Sequence, residues 1–241
     1  MPESSLHQAL KNRYTRTPED RQEVSVDGYQ IDVVCGELLV EVQTGSFTHL
    51  KAKLADLLPR HPLLLVHPIP VDKWIVRLNN AGDQATSRRK SPRHGQVEAV
   101  FRELVRIAPY LKHPNLYLEV ILTREEEILQ NDGRGSWRRR GWSIVDRRLL
   151  EVVEVVSLYQ EEDFCRFIPA EMPAPFTSRQ LAEGLQVPAY LGYKIVYCLR
   201  AMGLLELAGR RGRARLFQAA ERCDTLGKVQ EGGVKQEGVH E

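Results

Sequence analysis

Three acidic side chains recurring nine residues apart, Glu23, Asp32 and Glu41, are the first residues in this sequence whose types and spacing suggest chemistry. They lie in EVSVDGYQIDVVCGELLVEVQ, Glu23–Gln43, an alternating apolar run cut by Asp27-Gly28 and by Gly36-Glu37. Asp-Gly between alternating residues is a two-residue hairpin signal that fixes register, and Gly36 fits the first loop position of a type II′ turn. The first turn pairs Val24 with Ile31 and Glu23 with Asp32. The second pairs Val33 with Val40, Ile31 with Val42 and Asp32 with Glu41. One face of the meander, Val24, Val26, Tyr29, Ile31, Val33, Leu38, Val40 and Val42, then reads as core. The other face carries the three carboxylates in a row, with Ser25, Gln30 and Gln43 adjoining. Opposed residues in a sheet sit roughly 5 Å apart, and like charges there repel. A divalent cation would relieve that repulsion while keeping positions free for water and phosphate oxygens. A solvated, screened sheet face is the plainer alternative.

An N-terminal helix, this meander with Asp on its second strand and Glu-x-Gln on its third, then a helix and a strand, resembles the core of the PD-(D/E)xK nucleases. The resemblance covers residues 1–80 and implies an α/β fold with a restriction-endonuclease-like α-β-β-β-α-β core. It further implies that Asp32, Glu41 and the backbone carbonyl of Val42 hold Mg²⁺ or Mn²⁺. Such a cation polarises the scissile phosphate and activates water. Gln43 stands where the family has lysine; it orients a water but carries no charge. Some restriction endonucleases of the superfamily have Gln here, and in other members the lysine migrates to the next helix, where this chain has Lys51 and Lys53. Solvated helix lysines are the alternative for both. In exonuclease-like branches a first-helix histidine joins the metal site, which nominates His7; a capping or surface histidine is its alternative. Glu23 matches no general family position and is nominated by the strand pairing alone.

A second group of candidates is basic. The segment from Pro175 to Gln218 looks like a winged helix-turn-helix. Thr177 suits an N-cap, Val187-Pro188 makes the turn, and the second helix presents Tyr190, Tyr193, Lys194 and Tyr197. A hairpin follows with Arg210, Arg211, Arg213 and Arg215 at its tip, placed for phosphate contact. Upstream, Arg88, Arg89, Lys90 and Arg93 fall in a polar, breaker-rich stretch read as a connection. Arg134, Arg138, Arg139 and Arg140 alternate with Trp137 and Trp142 in a loop opened by Asp132-Gly133. The tryptophans either stack on bases or anchor the loop.

The elements that must position these groups follow from periodicity. Helices are predicted over Ser5–Tyr14, Phe47–Leu58 and Gln96–Ile107, and strands over Leu63–Val66, Trp74–Leu78 and Leu116–Leu122. Leu149–Leu158 reads equally as helix or strand. The predicted organisation is a nuclease-like core over 1–80, a helix and β-hairpin middle region over 81–160, a winged helix over 161–223 and a disordered tail over 224–241.

The chain has 241 residues, 42% of them hydrophobic, and a net charge of +2 that hides the clustered arginines. No apolar run is long enough for a membrane span, and the start lacks a secretory h-region, so a cytoplasmic location is expected. Cys35, Cys165, Cys198 and Cys223 lie far apart, which argues against a zinc ribbon or a disulfide framework. The expected function is metal-dependent DNA endonucleolytic hydrolysis, with RNA as an alternative substrate and a homodimer implied by any duplex cut. The competing expectation is a catalytically inactive, nuclease-fold DNA-binding regulator or assembly factor.

Overall fold

The computed structural model describes residues 3–79, 81–133, 135 and 141–223. The fold is mixed α/β, and the chain divides into two compact units. The first comprises Met1–Val100 and Asn115–Ser157; the second comprises Phe101–Pro114 and Leu158–Glu241.

The first unit opens with helix α1 (Ser5–Tyr14), started by Ser4, whose hydroxyl accepts from the His7 amide. Strands β1 (Arg21–Val26), β2 (Tyr29–Cys35) and β3 (Leu38–Val42) form an antiparallel meander. Asp27 and Gly28 both take positive φ, 49° and 84°, the left-handed pair that a type I′ turn requires. The resulting register joins Val24 to Ile31 and Gln22 to Val33, and the Gly36 turn joins Val33 to Val40. Helix α2 (Leu50–Leu57) then crosses over to β4 (Leu63–Leu78), which runs parallel to β3.

Strand β4 is one 16-residue strand where the sequence predicts two short ones. Pro68 and Pro70 lie inside it, and the neighbouring strands explain why they are tolerated. On one side β6 (Leu116–Asn131) pairs along nearly its whole length. On the other, β3 pairs with Leu63–Val66 and β5 (Ala85–Lys90) pairs with Trp74–Leu78, leaving a gap between them. The Pro70 carbonyl turns into that gap, where it accepts from the Gly95 amide, so the missing N–H groups fall where no strand needs them. The stretch predicted as a connection over 81–95 therefore contains β5. Strand β7 (Trp142–Leu158) completes a seven-stranded sheet and resolves the helix-or-strand ambiguity at Leu149–Leu158.

A separate middle region over 81–160 is thus corrected: β5, β6 and β7 share one sheet with β1–β4, and Phe101–Pro114 belongs to the second unit. The helix predicted over Gln96–Ile107 reduces to 3-10 turns around the four-residue α3 (Phe101–Leu104). In the sheet unit, Leu6, Leu10 and Tyr14 of α1 pack on Val33, Val40, Val42, Leu64, Val66 and Ile121. Val24, Val26, Tyr29 and Leu38, also expected in the core, are only half-buried.

In the second unit, α4 (Ser178–Gly184) starts at a capping box between Thr177 and Gln180, and α5 (Ala189–Ala201) follows after a short turn. Gly192 of α5 crosses so close to α4 that a Cβ would collide with the Ser178 carbonyl. A hairpin of β8 (Leu205–Arg211) and β9 (Ala214–Ala219) comes next, and Phe176 bridges to Phe217 of β9. Cys165 and Cys223 form a disulfide, Cα atoms 5.4 Å apart, although their wide spacing argued against a disulfide framework. Their separation of 58 residues gave no hint of their nearness. Among the described residues, no helix is long and apolar enough to cross a membrane.

Candidate active site

The ladder between β2 and β3 ends at the Val33–Val40 pair, one step before Asp32 and Glu41. β3 stays paired with β4 from Leu39 through Val42, so at Glu41 and Val42 the ladder runs on the β4 side while the β2–β3 pairing has ended. There the Asp32 Oδ2 reaches across to accept the Val42 amide at 2.8 Å. The expected juxtaposition of Asp32 with Glu41 therefore holds as a neighbourhood, not as a paired rung. The Asp32 charge is felt at Glu41, whose carboxyl is pushed above the usual range, burial being the largest cause.

Cations from two positions on the chain meet these acids. Lys53 of α2 donates to Glu41 Oε2 and to the Gln30 carbonyl, both at 2.6 Å, with lysine and carboxylate each 12% exposed. Helical spacing from Phe47, Leu50, Leu54 and Leu57, all buried, turns Lys53 inward. Lys51, the other candidate, is exposed and makes no ion pair among the described residues. His7 Nε2 lies 2.7 Å from the Val42 carbonyl and 3.1 Å from Asp32 Oδ2, while its Nδ1 contacts Glu3 at 2.5 Å. Burial alone would depress the His7 pKa. The hydrogen bonds and charges of Asp32 and Glu3 outweigh it and push it up to about 9, so the imidazole is charged at neutral pH.

Glu23 corrects the expectation of a third acid in the row. Its neighbours keep the predicted register, but Glu23 itself takes φ of 55°, and its carboxylate binds Lys11 Nζ and Gln30 Nε2 instead. Lys11 is 1% exposed and also meets Glu3 at 2.6 Å. A buried ammonium demands carboxylates, and that need draws Glu23 toward α1. Gln43 is spent locally: its Nε2 donates to the Ser46 carbonyl at 2.8 Å. Among the described residues, no three His, Cys, Asp or Glu side chains form a ready-made metal cage.

Sequence reasoning missed Glu3 and Lys11, although Glu3, His7 and Lys11 recur at intervals of four, the spacing of neighbours on a helix face. It also missed Asp146 of β7, which accepts from the Ser5 amide and hydroxyl at 2.9 and 2.7 Å and so fixes the start of α1. Nothing in the local sequence marks Asp146, because its partner lies 141 residues away.

The basic candidates split into two kinds. Arg88 pairs with Glu126 at 2.7 Å and Lys90 with Asp72 at 2.8 Å, both over the Trp74 ring. Arg89 and Arg93 are exposed and make no ion pair among the described residues. Trp142 is half-buried beneath the Arg77 guanidinium, as an anchor would be. Arg134, Arg138, Arg139, Arg140 and Trp137 lie outside the described residues. On α5, Tyr190, Tyr193 and Tyr197 are 49%, 60% and 57% exposed. Lys194 is not free there, since its Nζ donates to the Arg102 carbonyl at 3.0 Å. Arg210, Arg211, Arg213 and Arg215 are all exposed, and none pairs with a carboxylate among the described residues. Arg210 and Arg215 even sit directly opposite each other across the hairpin.

Residues 4–159 match the family described as "Domain of unknown function (DUF8091)", and the chain belongs to that family. The match ends close to where the sheet unit does. The chain is also 33% identical over 217 residues to a protein of Treponema pallidum (strain Nichols) named "Uncharacterized protein", covering 90% of this chain and 85% of that one. No solved structure matches it.

Proposed function

We propose that this chain is a metal-dependent endonuclease, hydrolysing phosphodiester bonds in DNA at Asp32, Glu41 and Lys53 and guided by the α4–α5 helices and the arginine-tipped hairpin. The observation that carries the reading is the ending of the β2–β3 ladder at Asp32 and Glu41, with His7 bridging Asp32 Oδ2 and the Val42 carbonyl. The Asp32 Oδ2 and the Val42 carbonyl converge on one point, now taken by His7 Nε2, and with Glu41 they offer oxygen donors of the kind that would hold Mg²⁺ or Mn²⁺ once His7 and Lys53 make way. When bound, such an ion polarises the phosphate and lowers the pKa of its water.

The chain's own groups supply the rest. Lys53 provides the positive charge that Gln43 lacks, and its bond to the Gln30 carbonyl holds it beside Glu41. His7 keeps Asp32 oriented, and Asp32 in turn pins the Val42 amide. The exposed arginines of the hairpin and the tyrosines of α5 offer phosphate contacts and stacking surfaces, as in a winged helix. A cut in both strands of a duplex calls for two such sites, and hence a homodimer.

The test is cleavage of supercoiled plasmid with Mg²⁺ or Mn²⁺. Asp32→Asn and Glu41→Gln, near-isosteric changes, are expected to lower the rate more than about 100-fold while leaving DNA binding intact. Cleavage that survives both substitutions defeats the reading. One observation favours a second reading, an inactive DNA-binding regulator: the candidate acids are already neutralised from within the chain. Salt-sensitive DNA binding without cleavage of duplex, nicked, flapped or single-stranded DNA, or of RNA, would establish that alternative.

A further inference from the structure

Where β3 ends, three successive carbonyls are each held by a side chain from a different element. The Val42 carbonyl faces His7 Nε2 of α1 at 2.7 Å. The Gln43 carbonyl accepts from His67 Nδ1 of β4 at 2.6 Å. The Thr44 carbonyl accepts from Arg147 Nη1 of β7 at 3.2 Å. Backbone leaving a sheet normally finds water or other backbone for its polar groups. Side-chain donors from three directions restrain Val42–Thr44, and Val42 and Gln43 are two of the candidate site positions.

The Arg147 contact is the most elaborately built. Its Nη2 lies 2.9 and 3.0 Å from the two oxygens of Glu125, a carboxylate with no exposed surface on β6. The guanidinium thus spends one nitrogen on Glu125 and another on Thr44. Its neighbour Asp146 grips the start of α1 two residues before His7. Successive residues of β7 therefore tether both the helix that bears His7 and the chain segment that follows Gln43.

We propose that Arg147 is a positioning residue: braced by Glu125, it fixes the Thr44 carbonyl and thereby the path of Val42 and Gln43 at the candidate site. Only the activity part of this proposal rests on the hydrolase reading. A pair that served stability alone would be replaceable by apolar residues, since buried ion pairs often exchange for them at no loss. A positioning pair would not.

The experiment compares wild type, Arg147→Met/Glu125→Leu and Arg147→Lys by thermal melting, by plasmid cleavage with Mg²⁺, and by the NMR signals of the His67 imidazole, which reports the Gln43 carbonyl. The double variant is expected to melt near wild type, to lose about 10- to 100-fold in kcat with KM little changed, and to shift the His67 signals. Arg147→Lys keeps a charge beside Glu125 but lacks the second nitrogen for Thr44, so it should fold, cut slowly and shift His67 likewise. If the double variant does not fold, Arg147→Lys decides by the same two readouts. Wild-type cleavage and unmoved His67 signals in a folded variant overturn the proposal. Should wild type cut no nucleic acid, the hydrolase reading falls, and the His67 signals alone decide this one.

Discussion

The two charge-rich regions of this molecule are built on opposite plans. Around Asp32 and Glu41 every acid has a basic partner from the same chain: His7 for Asp32, which also accepts the Val42 amide, Lys53 for Glu41, and Lys11 for Glu3 and Glu23. At the β8–β9 hairpin four arginines crowd six residues with no carboxylate partner among the described residues, and two of them face each other. The first region has settled its electrostatics internally and is part of the packed sheet unit. The second carries repulsion that no carboxylate among the described residues relieves. The contrast separates charges paired within the chain from charges with no carboxylate partner among the described residues.

The sharpest way to test that contrast is to remove one charge from the settled region. Lys53→Met strands Glu41, nearly buried, without its partner, and is expected to cost roughly 3 kcal/mol in urea unfolding. Burial already raises the Glu41 pKa, so the variant's deficit should shrink at acidic pH, where the carboxyl takes up a proton in the folded state. A Lys53→Met protein as stable as wild type at neutral pH would break the contrast.

Replacing all four hairpin arginines by alanine should do the reverse. Fold stability should stay within about 0.5 kcal/mol of wild type, since these side chains hold nothing in place. DNA affinity should fall, and the dependence of log affinity on log salt should flatten by as much as about 3.6 if each arginine meets one phosphate. An unchanged salt slope would mean that the tip faces something other than a nucleic-acid backbone.

The smallest effect comes from His7. Its pKa is raised from 6.5 to about 9 in the folded chain, so the proton binds the folded state more tightly than the unfolded one. Its stabilisation is fully present below about pH 6.5 and is lost as pH climbs through 9. Comparing wild type with His7→Gln by urea unfolding across this range should reveal a difference of roughly 1–2 kcal/mol that closes on the alkaline side. A gap that widens with pH instead would place the imidazole outside the settled network.

The meander was legible because turn chemistry is local: Asp27-Gly28 and Gly36 set a register that the structure keeps at Val24–Ile31 and Val33–Val40. Helix α1 was legible from its own periodicity and matches residue for residue. What escaped depends on distant partners. The continuity of β4 through Pro68 and Pro70 follows from a gap between β3 and β5 that no window of sequence contains. Glu23 was misplaced because its backbone yields to a buried lysine on another element. Lys53 and Lys51 were indistinguishable until α2 was seen in place beside Glu41.

The link between Cys165 and Cys223 carries a topological consequence. It closes residues 165–223 into a ring whose two ends stand 5.4 Å apart and which contains both helices and the hairpin. The ring nevertheless leans on Phe101–Pro114, which lies outside it: Phe101 meets the Phe167 ring edge-on, so the closure ties two distant points together without making the segment a separable part.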